Sequence, residues 1–152
     1  MIEVIDTGIA PSTGPVNDCI RAGNHVWLVV IAEDPKTGEI IQGEIEAQAR
    51  QTLLNLDQAV RAAGGTLANI VQVQIFLTDR ADAKGMNKVY AEFFKPPYPV
   101  RATVVVKELL AEGLRIEITA TAVISAPAYR RTIAYSSSLS AIPCATASRR
   151  FA

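Results

Sequence analysis

The chain has 152 residues, with 15 Lys and Arg against 15 Asp and Glu, and 49% of it is hydrophobic. One domain of this size can bury a core without disulfides or metals, and the hydrophobic share excludes disorder over most of its length. Zero formal charge, scattered Lys and Arg and few aromatics leave no basic, base-stacking surface, so nucleic acid is not an expected partner.

Cys19 and Cys144 show neither CxxC nor zinc-ligand spacing, which points to thiols in a reducing compartment, with a structural disulfide between them as the alternative. The N-terminus has no basic leader, and no apolar run reaches the ~18 residues of a membrane span, so a cytoplasmic protein without a membrane partner is expected. His25 is the single histidine. A multi-His metal centre is therefore impossible and no metal is expected, while a Ser-His-Asp triad would need His25 as its base and lacks a G-x-S-x-G elbow.

In chain order, residues 1–7 alternate loosely and can form a first strand, and Ala10 to Pro15 is a loop by its Pro, Gly and Ser content. Asn17 to Arg21 and Val26 to Ile31 flank Ala22-Gly23-Asn24 and read as a hairpin. The uninterrupted apolar run Val26 to Ile31 predicts a strand buried on both faces. Glu33 to Glu39 is a turn, beyond which Ile40-Ile41 can extend the sheet.

From Gly43 the period changes. Ile45, Ala49, Leu53, Leu56, Val60 and Ala63 recur at spacings of three and four, the stripe of an amphipathic helix, with Glu46 and Arg50 paired at i,i+4 and Gly64-Gly65 as a left-handed cap. Asn69 to Thr78 returns to period 2, with Val71, Val73, Ile75 and Leu77 opposite Gln72, Gln74 and Phe76. That second face suits either solvent or a subunit interface or pocket wall. Thr78-Asp79 can cap a second helix running to about Phe94, with Met86, Val89, Tyr90 and Phe93 inward and Pro96-Pro97 as its stop.

Tyr98 to Val106 and Arg115 to Val123 read as two strands joined by Glu108 to Leu114 into a hairpin. Arg101 enters the first from a Pro-rich segment that would hold its guanidinium for a planar carboxylate, and Glu117 lies on the polar face of the second; the pattern by itself favours reading both as solvated strand-edge charges. The element order implies an α+β sandwich, one sheet with two helices on one face. A Ser/Ala-rich extension, 125–152, follows a body ending at residue 124.

The turn Asp34 to Glu39, the helix run Gln48 to Leu56, Asn87 to Phe94, Pro99-Val100-Arg101 and Ile116-Glu117-Ile118, in this order, resemble the RidA/YjgF family of enamine/imine deaminases over residues 2–124. The resemblance implies a chorismate-mutase-like fold with one mixed sheet, a homotrimer with clefts between subunits, and no cofactor or metal. It implies hydrolysis of reactive 2-enamino and 2-imino acids to 2-oxo acids and ammonia. Arg101 matches the arginine that grips the substrate carboxylate, Glu117 the glutamate that orients or activates water, and Asn87 an asparagine lining the cleft.

The chain departs from the family pattern at three places. Val16 stands where the family has the tyrosine of Gly-Pro-Tyr, Val29-Val30-Ile31 replaces Ser-Gly-Gln, and Thr103 takes the place of a frequent cysteine. A polar wall has become apolar, which favours a bulkier, less polar imino acid or a trimer that binds a small carboxylate without turnover. A deaminase of aminomuconate-type catabolites is a narrower form of the first reading.

Overall fold

The computed structural model describes residues 1–125, within which six strands and two α-helices form one layer of sheet and one of helices. The strands are β1 (Glu3–Val4), β2 (Cys19–Ala22), β3 (His25–Ile31), β4 (Ile70–Leu77), β5 (Val100–Val105) and β6 (Ile116–Val123); the helices are α1 (Ile45–Ala62) and α2 (Ala83–Phe93). The sheet order is β1-β2-β3-β6-β4-β5, antiparallel throughout except for the parallel pair β4 and β5. The Ser/Ala-rich extension lies outside the described residues apart from Ser125, as does Cys144. No helix among the described residues is long and apolar enough to cross a membrane.

The hairpin expected between the last two strands does not form. Both strands exist, but β4 lies between them. The crossover through α2 returns β5 in the direction of β4, as a βαβ unit must. Strand β6 buries Ile116, Ile118, Ala120 and Ala122 and so takes the centre of the sheet, whereas β5 is exposed at every position and takes the edge.

The α1 stripe is as the spacing predicts: Ile45, Ala49, Leu53, Leu56, Val60 and Ala63 are all buried, and Gly64 follows the helix at φ +88°. Arg50, however, does not pair with Glu46. Its Nη1 and Nη2 donate to the two carboxylate oxygens of Glu92 on α2, at 2.6 and 3.0 Å, a planar fork across the contact between the two helices. The two helices approach closely at Gly85, where a Cβ would lie 2.7 Å from Ile45 Cγ2.

Two strand expectations change for one reason each. Helices cover one face of the sheet only, so β3 buries Val26, Leu28 and Val30 but leaves Trp27 42% exposed. In β4 an irregularity between Ile70 and Gln72 takes Val71 out of register, so Ile70 joins Val73, Ile75 and Leu77 inside while Val71 is exposed. At the start of the second helical segment Asp79 Oδ1 accepts the Ala81 N–H at 2.8 Å, and a 3-10 turn over Arg80–Asp82 precedes α2. Met86, Val89 and Tyr90 point inward, but Phe94 rather than Phe93 is fully buried. Ile40 adds only a single bridge to Glu33.

A polar knot locks the start of β6. Gln48 donates to Gly113 O at 2.7 Å and accepts the Arg115 N–H at 2.8 Å, while Arg115 forks onto the buried carboxylate of Asp82, its Nε lying 3.0 Å from Oδ2.

Candidate active site

The register that pairs Arg101 with buried Val73 puts Arg101 on the helix side of the sheet, at the open edge beside α2. Asn87 and Tyr90 lie three residues apart on α2 and so share a face of that helix. Arg101 Nη2 donates to Asn87 Oδ1 at 2.8 Å, and its guanidinium carbon lies 4.6 Å from the centroid of the Tyr90 ring. Tyr90 in turn stacks on Phe94, with centroids 4.4 Å apart and planes 17° from parallel. Together with Tyr98 and Pro99, Tyr90 and Arg101 line a cleft of about 330 Å³.

Arg101 has no carboxylate partner among the described residues. Of the five N–H groups of a guanidinium, one goes to Asn87 and the rest stay available for a planar anion. Burial pushes the Tyr90 hydroxyl above the ordinary phenol range, so it stays neutral, and it is the one buried side-chain polar atom among the described residues that lacks a hydrogen-bond partner.

Glu117 stands elsewhere. It falls in a row with Ile31 of β3 and Phe76 of β4, on the face of the sheet that no helix covers. It is half-buried, and desolvation raises its carboxyl above the usual range. Val29, on the same face, borders two clefts of about 320 and 520 Å³. Gln72, Gln74 and Thr119 line the first, so the glutamine face of β4 is a pocket wall as well as an exposed surface. Asp18 and Glu33 line the second with Ser12 and Thr37; burial raises both carboxyls, and Asp18 raises Glu33 further.

The six residues singled out in the sequence therefore divide. Arg101 and Asn87 touch, and Thr103 follows on the same side of β5. Glu117 and Val29 sit on the opposite face, with the whole of β4 between Glu117 and β5, about 10 Å at ordinary strand spacing. Val16 is 59% exposed in the loop before β2 and borders a separate cleft of about 190 Å³. Sequence reasoning placed Tyr90 in the core and passed over Asp18 and Glu33. The i,i+3 spacing from Asn87 was the available signal for Tyr90; nothing in the spacing of Asp18 and Glu33 brings a loop and a turn to one cleft.

A mixed sheet of six strands with two helices on one face is the RidA-like fold. The chain belongs to the RidA/YjgF family: the family model described as Endoribonuclease L-PSP matches residues 8–124. It is 44% identical over 124 residues to a RutC family protein of Pyrococcus horikoshii, covering 80% of this chain and 98% of that one. It is 36% identical to a 2-iminobutanoate/2-iminopropanoate deaminase of Dermatophagoides farinae, covering 80% and 96%. Among solved structures it resembles E. coli TdcF with bound serine, with TM-score 0.75 and 35% identity over 81% of this chain and 99% of that one.

Proposed function

We propose that the chain is a cofactor-independent deaminase that hydrolyses reactive 2-imino and 2-enamino acids to 2-oxo acids and ammonia. The observation that carries this reading is Arg101, a guanidinium held by Asn87 and Tyr90 with its remaining donors unspent in a cleft. Relatives named for imine deamination and a related structure holding serine, itself a 2-amino acid, support the substrate class.

Arg101 grips the substrate carboxylate, and Asn87 fixes the orientation of the fork. Glu117 takes a proton from water as the oxygen attacks C2 of the protonated imine and passes it to the carbinolamine nitrogen; as the C–N bond breaks, Glu117 takes the hydroxyl proton, leaving the 2-oxo acid and ammonia, and then loses that proton to the departing ammonia or to solvent. A carboxylate raised by desolvation is a stronger base for this step than one in water. Because Arg101 and Glu117 lie on opposite faces of one sheet, a small substrate meets both only between two copies. A homotrimer in which the β5 edge of one subunit faces the open sheet of the next meets this need. Val29 leaves the pocket wall apolar, which fits an alkyl side chain better than a polar one.

The test is a coupled assay in which an amino-acid oxidase generates imino acids from several amino acids and release of 2-oxo acid is followed. Rates above uncatalysed hydrolysis, greatest for larger aliphatic substrates, are expected. No rate, with 2-oxobutyrate still bound, would make the protein a non-catalytic carboxylate receptor, with the apolar Val29 wall as the first cause.

A further inference from the structure

We propose that Tyr90 is a positioning residue for Arg101, acting through the face of its ring and not through its hydroxyl. The inference rests on the carboxylate-anchor reading above and adds to it the device that aims the anchor. An exposed arginine on an edge strand samples many rotamers, and its long side chain loses much conformational freedom when fixed. A single hydrogen bond to Asn87 fixes one nitrogen and leaves the plane free to turn about that contact. The Tyr90 ring removes this freedom. The guanidinium carbon lies 4.6 Å from the ring centroid, within reach of cation–π attraction.

The platform itself is rigid. Tyr90 is 6% exposed, and it stacks on Phe94, which is 3% exposed. Asn87 and Tyr90 thus form a cradle on one face of α2 that receives Arg101 from a different element, joining the helix layer to the sheet edge.

The hydroxyl argues for the ring as the working part. It is buried, it has no hydrogen-bond partner among the described residues, and in that environment it stays protonated. An unsatisfied buried hydroxyl is a cost to folding, and the part of Tyr90 that meets the Arg101 guanidinium is the ring face.

Two measurements test the assignment. In ligand-free protein with labelled arginine, the Arg101 side-chain resonances should be displaced by the Tyr90 ring current in wild type and in Tyr90→Phe, and should move to ordinary values in Tyr90→Leu. Resonances unchanged in Tyr90→Leu would overturn the proposal whatever the substrate is. In the imine assay, Tyr90→Leu should raise KM roughly three- to thirtyfold with kcat nearly kept, and Tyr90→Phe should recover most of the lost affinity. A Tyr90→Phe variant as impaired as Tyr90→Leu would transfer the role to the hydroxyl and refute the ring. If Arg101→Ala raises KM and Tyr90→Leu does not, the positioning role falls and the carboxylate anchor stands. If neither variant changes KM, both fall.

Discussion

If each site takes Arg101 from one subunit and Glu117 from the next, two dead variants should complement each other. Arg101→Ala removes the anchor and Glu117→Gln the base, so homotrimers of either should be nearly inactive. In trimers reassembled from an equal mixture, a site is intact when its β5 edge comes from a Glu117→Gln subunit and its open face from an Arg101→Ala subunit. Each condition is met half the time, so about one quarter of the sites, and roughly one quarter of wild-type activity, should return. The geometry behind this figure is the placement of the two residues on opposite faces of the sheet with β4 between their strands. The assay is imine hydrolysis after joint denaturation and refolding, with subunit exchange verified by mass spectrometry of the intact oligomer. Exchanged trimers that stay as inactive as their parents would mean that both residues serve one site from the same copy, and would refute the two-subunit argument.

Glu117→Gln should also stabilise the ligand-free protein at neutral pH. Burial raises the folded-state proton affinity of Glu117 above its unfolded value, so the folded chain binds more protons between the two and stability falls as pH rises through that window. The variant's gain in Tm at pH 7 should therefore shrink toward pH 4; a lower Tm for the variant at pH 7 would contradict the desolvation argument. Asp82→Ala removes the buried carboxylate from a partly exposed Arg115 and should cost about 1 to 3 kcal/mol in denaturant unfolding, against less than about 1 kcal/mol if the pair behaves as a surface one. Cys19 is 1% exposed, and burial, with Asp18 nearby, pushes its thiol up to about 11. In a Cys144→Ser background native protein should resist thiol reagents at pH 8, and rapid labelling would mean that β2 and β3 separate readily.

What the sequence made legible follows the reach of its signals. The α1 stripe is a repeat of three and four within one element, and every one of its six positions is buried. Period-2 alternation in β6 says which residues share a face, but not which strand lies alongside. Alternation alone therefore suggests a hairpin of β5 and β6, while hydrogen bonding places β6 between β3 and β4. The same limit applies to Val71, where local irregularity breaks an alternation that composition alone would continue. Arg101 and Asn87 were legible through family motifs, and their contact was not, because a helix face and a strand edge meet only in the folded sheet. Tyr90 looked like core and is core; that its ring also carries Arg101 depends on the parallel crossover that brings β5 back beside α2. Arg50 chose Glu92 over the local Glu46 for the same reason, since tertiary packing offered the better fork.

The central claim is that Arg101 anchors a substrate carboxylate for hydrolysis at the adjoining carbon. Its most direct test is kcat/KM for 2-iminobutyrate and 2-iminopropionate in wild type, Arg101→Ala and Arg101→Lys. Loss of a charge-assisted bidentate contact worth roughly 2 to 5 kcal/mol should lower kcat/KM by roughly thirtyfold to several thousandfold in Arg101→Ala. Arg101→Lys keeps the charge without the planar fork and should recover only part of that loss. Equal kcat/KM in wild type and Arg101→Ala, with the fold intact, would contradict the claim.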